Sequence, residues 1–148
     1  MSLRAYKSRR DFKATKEPPA IVKKRNRGAL IFVIQKHDAS HLHYDFRLEQ
    51  NSVLRSWAIP KQPSNSGIKR LAVETEDHPL DYANFEGEIP KGEYGGGTVE
   101  IWDKGIWIPE SVESDKIVFT LKGKKLTGKF VLIKFKNQKK NWLFFKLK

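Results

Sequence analysis

The sequence predicts a mainly β protein, a compact antiparallel β-barrel with little helix. Three observations carry this. Short runs rich in Ile, Val, Phe, Tyr and Trp recur between turn residues along most of the chain. Residues 42–49 alternate strictly, with Leu42, Tyr44, Phe46 and Leu48 on one face and His43, Asp45, Arg47 and Glu49 on the other. No segment shows the 3.6-residue periodicity of a long amphipathic helix. Many short strands at this spacing suit a sandwich or a small closed barrel.

The elements follow in order. Residues 1–27 lack apolar periodicity and contain Pro18 and Pro19, which reads as an extended N-terminal arm. The barrel domain is assigned to residues 28–148, its folded part beginning near Ala29. Residues 29–36 are an apolar run and hence a strand; residues 42–49 are the alternating strand; Gln50, Asn51 and Ser52 make a turn, and residues 53–59 return as the next strand. Pro60 to Gly67 reads as a loop, 70–75 as a short strand, and 76–97 as a loop with Pro79, Pro90 and five glycines. Residues 98–103 and 105–108 read as a Trp-bearing hairpin turning at Asp103, Lys104 and Gly105. Residues 117–121, 126–135 and 141–147 read as three final strands joined by turns rich in Lys, Gly and Asn.

Composition narrows the function classes. The chain has 148 residues, no cysteine, and a net charge of +12. Nine Phe, four Trp and four Tyr demand a packed core. The lack of cysteine excludes disulfides, thiolate metal sites and thiol nucleophiles. No apolar run is long enough for a membrane helix, so a soluble cytoplasmic protein without a membrane partner is expected; a monomer is expected separately. The charge is segregated: residues 1–27 carry +8, 28–70 carry +3, 71–115 carry −10 and 116–148 carry +11, the last block with eleven Lys and no acid. Two basic ends of this density point to a polyphosphate surface.

The chemistry concentrates in one stretch. His37, His43 and Asp45 form a three-ligand set for a divalent ion, with open positions left for water and substrate. Arg47, two residues beyond the carboxylate, is placed to bind a phosphate oxygen. His41 reads as structural, because its neighbours fill the ligand positions better. A second cluster holds Glu76, Asp77, His78, Asp81 and Tyr82; flanking acids there would raise the pKa of His78 and favour a proton donor or an imidazolium on phosphate. On its own, that segment reads better as a turn with an Asp N-cap. The glycines at 92 and 95–97 read as a tight turn more than as a phosphate cradle.

Longer strings are more specific. FVIQKHDASHLHYDFRL (32–48) resembles the signature of the 3′-phosphoesterase domain of bacterial and archaeal DNA ligase D. The likeness continues through SWAIPK (56–61), KRLAV (69–73), EDHPLDYANFEG (76–87), IPKGEYG (89–95) and IWDKG (101–105), and in the arm through Arg10, Asp11, Phe12, Thr15, Glu17 and Pro18. The resemblance implies a β-barrel enzyme of nonhomologous end joining that depends on Mn²⁺, with Co²⁺ or Zn²⁺ as substitutes. It implies removal of a 3′-terminal ribonucleoside from a DNA or RNA/DNA primer-template, then hydrolysis of the 3′-phosphate to a 3′-OH, alongside ligase and polymerase partners. It places His37, His43 and Asp45 on the metal, and Arg47, Arg70, His78 and Tyr82 on phosphate-binding and catalytic positions. Glu76 and Lys61 fall on supporting positions, and Arg10, Asp11 and Glu17 on arm positions tied to the diesterase step. The sequence departs from the family at Gln50-Asn51-Ser52, where a turn ending in Gly is common, and at Gln62, where Gly is usual. A domain this short is stand-alone or excised from a larger ligase. The rival is a non-catalytic nucleic-acid-binding barrel that stacks bases on Trp102 or Trp107.

Overall fold

A computed structural model describes residues 2–22 and 28–148. Nine strands follow one short helix: α1 (Arg4–Ser8), β1 (Leu30–Asp38), β2 (Leu42–Gln50), β3 (Val53–Ile59), β4 (Arg70–Pro79), β5 (Gly87–Ile89), β6 (Gly97–Val112), β7 (Lys116–Gly123), β8 (Thr127–Lys134) and β9 (Asn141–Lys146). A 3-10 turn at Leu80–Asn84 links β4 to β5. All pairings are antiparallel. The order β1-β2-β3-β4-β9-β8-β7-β6 closes through β1–β6 pairing into an eight-stranded barrel, and β5 adds to β6. The predicted antiparallel barrel is the observed fold. No described helix is long and apolar enough to cross a membrane.

The barrel interior takes one face of each strand. Phe46, Trp57, Phe119, Phe130, Trp142 and Phe144 are all fully buried there, and Phe130 and Phe144 stack with centroids 5.2 Å apart. A second cluster lies on the outside of the wall: Tyr6, Val33, Leu54, Leu80, Tyr82, Ala83, Phe85, Ile89 and Val99. β1 and β2 are therefore covered on both faces, and Asp45 and Arg47, on the outward face, are only 7% and 3% exposed.

Three expectations are corrected. β6 runs unbroken through Asp103, Lys104 and Gly105, so no hairpin turns there. The Asp103 carboxylate is buried because it accepts backbone N–H groups of Lys124, Lys125 and Leu126 at 2.8–3.1 Å, fastening the β7–β8 turn. Gly105 sits in the ladder opposite Gly123, where a Cβ would collide with the Lys122 carbonyl. β4 extends to Pro79, and residues 80–89 form the 3-10 turn and β5 because their apolar side chains pack on the barrel wall. The arm is not wholly extended: α1 makes one turn and buries Tyr6 completely, with its hydroxyl donating to the Pro18 carbonyl. Residues 23–27, the most basic part of the arm, lie outside the described residues.

Candidate metal and phosphate site

The site grows from the β1–β2 hairpin. Its register sets His37 opposite His43, and Asp45 follows two residues along β2, ~6.8 Å further and on the same face. His37 Nδ1 and His43 Nε2 lie 3.4 and 3.3 Å from Asp45 Oδ2. The other ring nitrogens are engaged by backbone: His37 Nε2–H donates to the Gly95 carbonyl at 2.7 Å, and His43 Nδ1–H to the His41 carbonyl at 2.9 Å. These bonds fix both tautomers and turn an unprotonated nitrogen of each ring toward Asp45. Gly95 reaches His37 through a left-handed turn (φ +78°), and a Cβ there would stand 3.4 Å from His37 Cε1.

Two imidazole lone pairs and a carboxylate thus converge, with ligand atoms all within 4.8 Å of one another. The two 3.3–3.4 Å separations match the ~3.4 Å edge of a tetrahedron with ~2.1 Å metal bonds. The donor set fits a divalent transition metal with positions left open. Burial alone would raise the Asp45 carboxyl, but the Arg47 guanidinium and the two imidazoles hold it well below the usual carboxylate range. Burial works to lower His43, yet the hydrogen bond and charge of Asp45 outweigh it and raise this imidazole. A proton on His43 therefore competes with a cation for the same place.

Arg47 is the second component. Its Nε donates to Gln35 Oε1 at 2.7 Å, and Nη2 lies 3.4 Å from Asp45 Oδ2. Gln35, fully buried, also donates to the Tyr82 and Phe85 carbonyls at 2.7 and 3.0 Å. The arm supplies Arg10, whose Nε pairs with Glu17 at 3.0 Å and Nη1 with Glu76 at 2.9 Å, and whose guanidinium lies 3.8 Å over the Tyr6 ring. The Tyr82 hydroxyl donates to Glu17 Oε2 at 2.6 Å. All of these except Gln35, Phe85 and Tyr6 line one pocket of about 270 Å³ with His37, His43, Asp45 and His78.

His78 differs from expectation. It is 4% exposed, with Arg47 Nη1 3.2 Å from Nδ1 and Arg10 Nη2 3.5 Å from Nε2. Burial, then Arg47 and Arg10, push its pKa well below the ordinary value. The flanking acids do not raise it, because the Glu76 side chain faces Arg9 and Arg10 instead. The resting ring is neutral, with Nδ1–H donating to the Glu76 carbonyl at 3.0 Å and the Nε2 lone pair facing Arg10.

Of the predicted residues, His37, His43, Asp45, Arg47, Glu76, His78, Tyr82, Arg10 and Glu17 meet in this pocket. Arg70 and Lys61 do not: they line a separate pocket, and Arg70 Nε donates to the Gln62 carbonyl at 3.0 Å. Asp11 is exposed and caps a turn, accepting from Lys13 N at 3.0 Å. His41 is exposed, outside the ligand group. Trp107 is buried and donates to the Glu49 carbonyl, so it offers no stacking face. Gln35, Gly95 and Tyr6 were not singled out for the site; the signals were an amide interrupting an apolar strand, glycines beside a ligand strand, and an aromatic in a polar arm.

A model of the DNA ligase D 3′-phosphoesterase domain matches residues 35–134. The chain belongs to that family. Across 99% of its length it is 47% identical to the multifunctional non-homologous end joining protein LigD of Pseudomonas aeruginosa. It is 44% identical to the proteins of the same name from Mycobacterium bovis and Mycolicibacterium smegmatis, again over 99% of its length. The chain spans only about a fifth of these relatives, 18–20% of each. Within the 3′-phosphoesterase match lie all three ligand-type residues together with Gln35, Arg47, His78 and Tyr82; Arg10 and Glu17 precede it.

Proposed function

We propose that this domain is a metal-dependent DNA 3′-end-healing phosphoesterase of nonhomologous end joining. It removes a 3′-terminal ribonucleoside to leave a 3′-phosphate, then hydrolyses that phosphate to a 3′-OH. The observation that carries the reading is the convergence of two oriented imidazole lone pairs and a carboxylate beside Arg47 and Arg10, in one pocket of about 270 Å³.

His37, His43 and Asp45 would hold Mn²⁺, or Co²⁺ or Zn²⁺ in its place. Such an ion, when bound, polarises a phosphoryl oxygen and supplies a nucleophilic water near neutral pH. Arg47, fixed at Nε by Gln35, and Arg10, fixed by Glu17 and Glu76, present guanidinium N–H groups to the oxygens on which charge builds. His78 keeps a lone pair while two guanidinium groups flank it. An incoming phosphate offsets those charges and lifts the affinity of the ring for a proton, which it then delivers to the leaving oxygen. Tyr82 orders Glu17, and through it the arm. Arg70 and Lys61 are left to nucleic-acid contacts away from the reacting phosphate.

The test is a labelled primer-template with a 3′-terminal ribonucleotide. With Mn²⁺ a 3′-phosphate species should appear and give way to 3′-OH, and chelator or Asp45→Asn should stop both steps. Turnover indifferent to chelator refutes the reading. Tight binding without turnover would favour the non-catalytic barrel.

A further inference from the structure

The pocket opens on two sides that differ in charge. Through Ala39, Ser40 and Gly95 it passes into a cleft bounded by Asp38, Lys91 and Glu93. Through Thr75, Glu76 and Tyr94 it passes into a groove of about 530 Å³ that holds Arg9, Lys139 and Lys140. The two acids of this groove are already satisfied: Glu74 by Arg55 at 2.8 Å, and Glu76 by Arg9 and Arg10 at 3.0 and 2.9 Å. Lys139 and Lys140 are exposed and make no ion pair among the described residues. The turn that carries them is fixed, because the Lys140 carbonyl accepts from Glu74 N at 2.7 Å and the Asn141 carbonyl from Phe135 N at 2.9 Å. Tyr94 stands where groove meets pocket. It is 48% exposed, with the Arg9 guanidinium 5.2 Å from its ring centroid and Arg9 Nη1 3.3 Å from its hydroxyl. This ring belongs to neither core cluster.

The geometry points to this groove as the track of the substrate strand on its way to the reacting 3′ end. Arg9, Lys139 and Lys140 take the backbone phosphates, and Tyr94 is the platform on which a base stacks. The assignment rests on the 3′-phosphoesterase reading and adds a direction to it. The strand arrives over β4 and the turn before β9, and the cleft at Asp38 and Glu93, poor in cations, receives the uncharged departing nucleoside. With Arg9, Lys139 and Lys140 as its three cations, the track reads about two to three nucleotides beyond the terminal phosphate.

The experiment titrates the full chain, in chelator so that nothing is hydrolysed, with labelled single-stranded oligonucleotides ending in 3′-phosphate, of increasing length from a single nucleotide. Affinity of the unaltered protein should climb over about the first three nucleotides and then level off. Lys139→Ala/Lys140→Ala should flatten that climb and reduce the slope of log K against log salt by ~1.4, at ~0.7 per phosphate contact. Tyr94→Leu should weaken binding about 5- to 100-fold, while Tyr94→Phe keeps it. Lys116→Ala/Lys122→Ala, on β7 across the barrel, should change neither quantity. If the Lys139/Lys140 variant keeps both the length dependence and the salt slope, the track is wrong. If the unaltered protein binds no such oligonucleotide at any length, the phosphoesterase reading falls and the track with it.

Discussion

Replacing Gln35 with Leu probes how Arg47 is aimed. The two side chains are close in volume, so the change removes polar bonds without leaving a large cavity. Three bonds are lost: one from Arg47 Nε at 2.7 Å, and two to the Tyr82 and Phe85 carbonyls at 2.7 and 3.0 Å. A neutral hydrogen bond contributes ~1 kcal/mol and one to a charged group ~2 kcal/mol, so the loss is about 4 kcal/mol. That is a large part of the ~5–15 kcal/mol that holds a domain folded, but not all of it. At ~2–4 °C per kcal/mol for a chain of this size, Tm should fall by about 10 °C. With Nε released, the guanidinium is no longer held toward the pocket, and kcat for 3′-phosphate hydrolysis should fall by about 10- to 100-fold. Metal affinity should stay near its original value, since the Gln35 side chain bonds to Arg47 and to two carbonyls rather than to the three ligand residues. Gln35→Glu restores an acceptor for Arg47 but sets an oxygen against two carbonyls; it should recover kcat more fully than Tm. A Gln35→Leu protein with unchanged kcat and a lowered Tm would show that Arg47 is aimed by something else, and the mechanism above would lose its main electrostatic element.

The remaining expectations are more compact. His78 is held neutral in the fold, so the unfolded chain binds the extra proton; its contribution is complete above the unfolded pKa of ~6.5 and is lost as pH falls below it, by up to ~1.4 kcal/mol per pH unit. His43, whose pKa is raised, acts in the opposite sense: its contribution is present below ~6.5 and fades as pH climbs through the folded value. Denaturant unfolding against pH in chelator, with His78→Gln and His43→Asn as references, separates the two. Gly95→Ala, at φ +78° and with its Cβ against His37, should weaken metal binding by about 10- to 100-fold in a competition titration and cost ~1 kcal/mol of stability. Ser52→Gly should stabilise by ~0.5–1 kcal/mol in thermal unfolding, because Ser52 adopts φ 67° in a two-residue hairpin turn that favours glycine. Tyr82→Phe removes the 2.6 Å bond to Glu17 and should speed proteolysis within residues 9–17 several-fold; an unchanged cleavage rate would mean that Tyr82 does not hold the arm.

What was legible in the sequence follows from what local pattern can encode. The alternation of residues 42–49 revealed β2, its face of ligand residues and the aromatic face that fills the barrel. The spacing of His37, His43 and Asp45 was enough to pair them, because one hairpin fixes all three. The role of Asp103 was not legible. Asp-Lys-Gly has the composition of a turn, and only the β7–β8 turn, some twenty residues on, explains why a carboxylate is buried in mid-strand. The depressed pKa of His78 was equally out of reach: its neighbours in sequence are acids, but its neighbours in space are Arg10 and Arg47. Arg70 shares a strand with His78 yet lies at the far end of it, eight residues away, so membership of one motif-rich stretch did not mean membership of one pocket. The second, outer core was missed because Tyr6, Leu80, Phe85 and Ile89 follow no strand period; they pack on the wall from the arm, the 3-10 turn and the short β5.

The hairpin that holds the candidate metal-ligand residues also sets an order of assembly. His37, His43 and Asp45 lie within nine residues joined by one tight connection, and such hairpins close in ~1–10 μs. The barrel itself closes only when Leu30 meets Trp107 and Arg70 meets Phe144, long-range pairings of the kind that take milliseconds to seconds. Arg10, Glu17 and His78 reach the pocket only in that slower phase. On the proposed metal-dependent reading, a cation would be gripped by a chain that does not yet have the groups to use it, and would bias the search toward the correct β1–β2 register. Binding to such partly folded states also means that added metal raises Tm by less than its affinity for the native protein alone predicts.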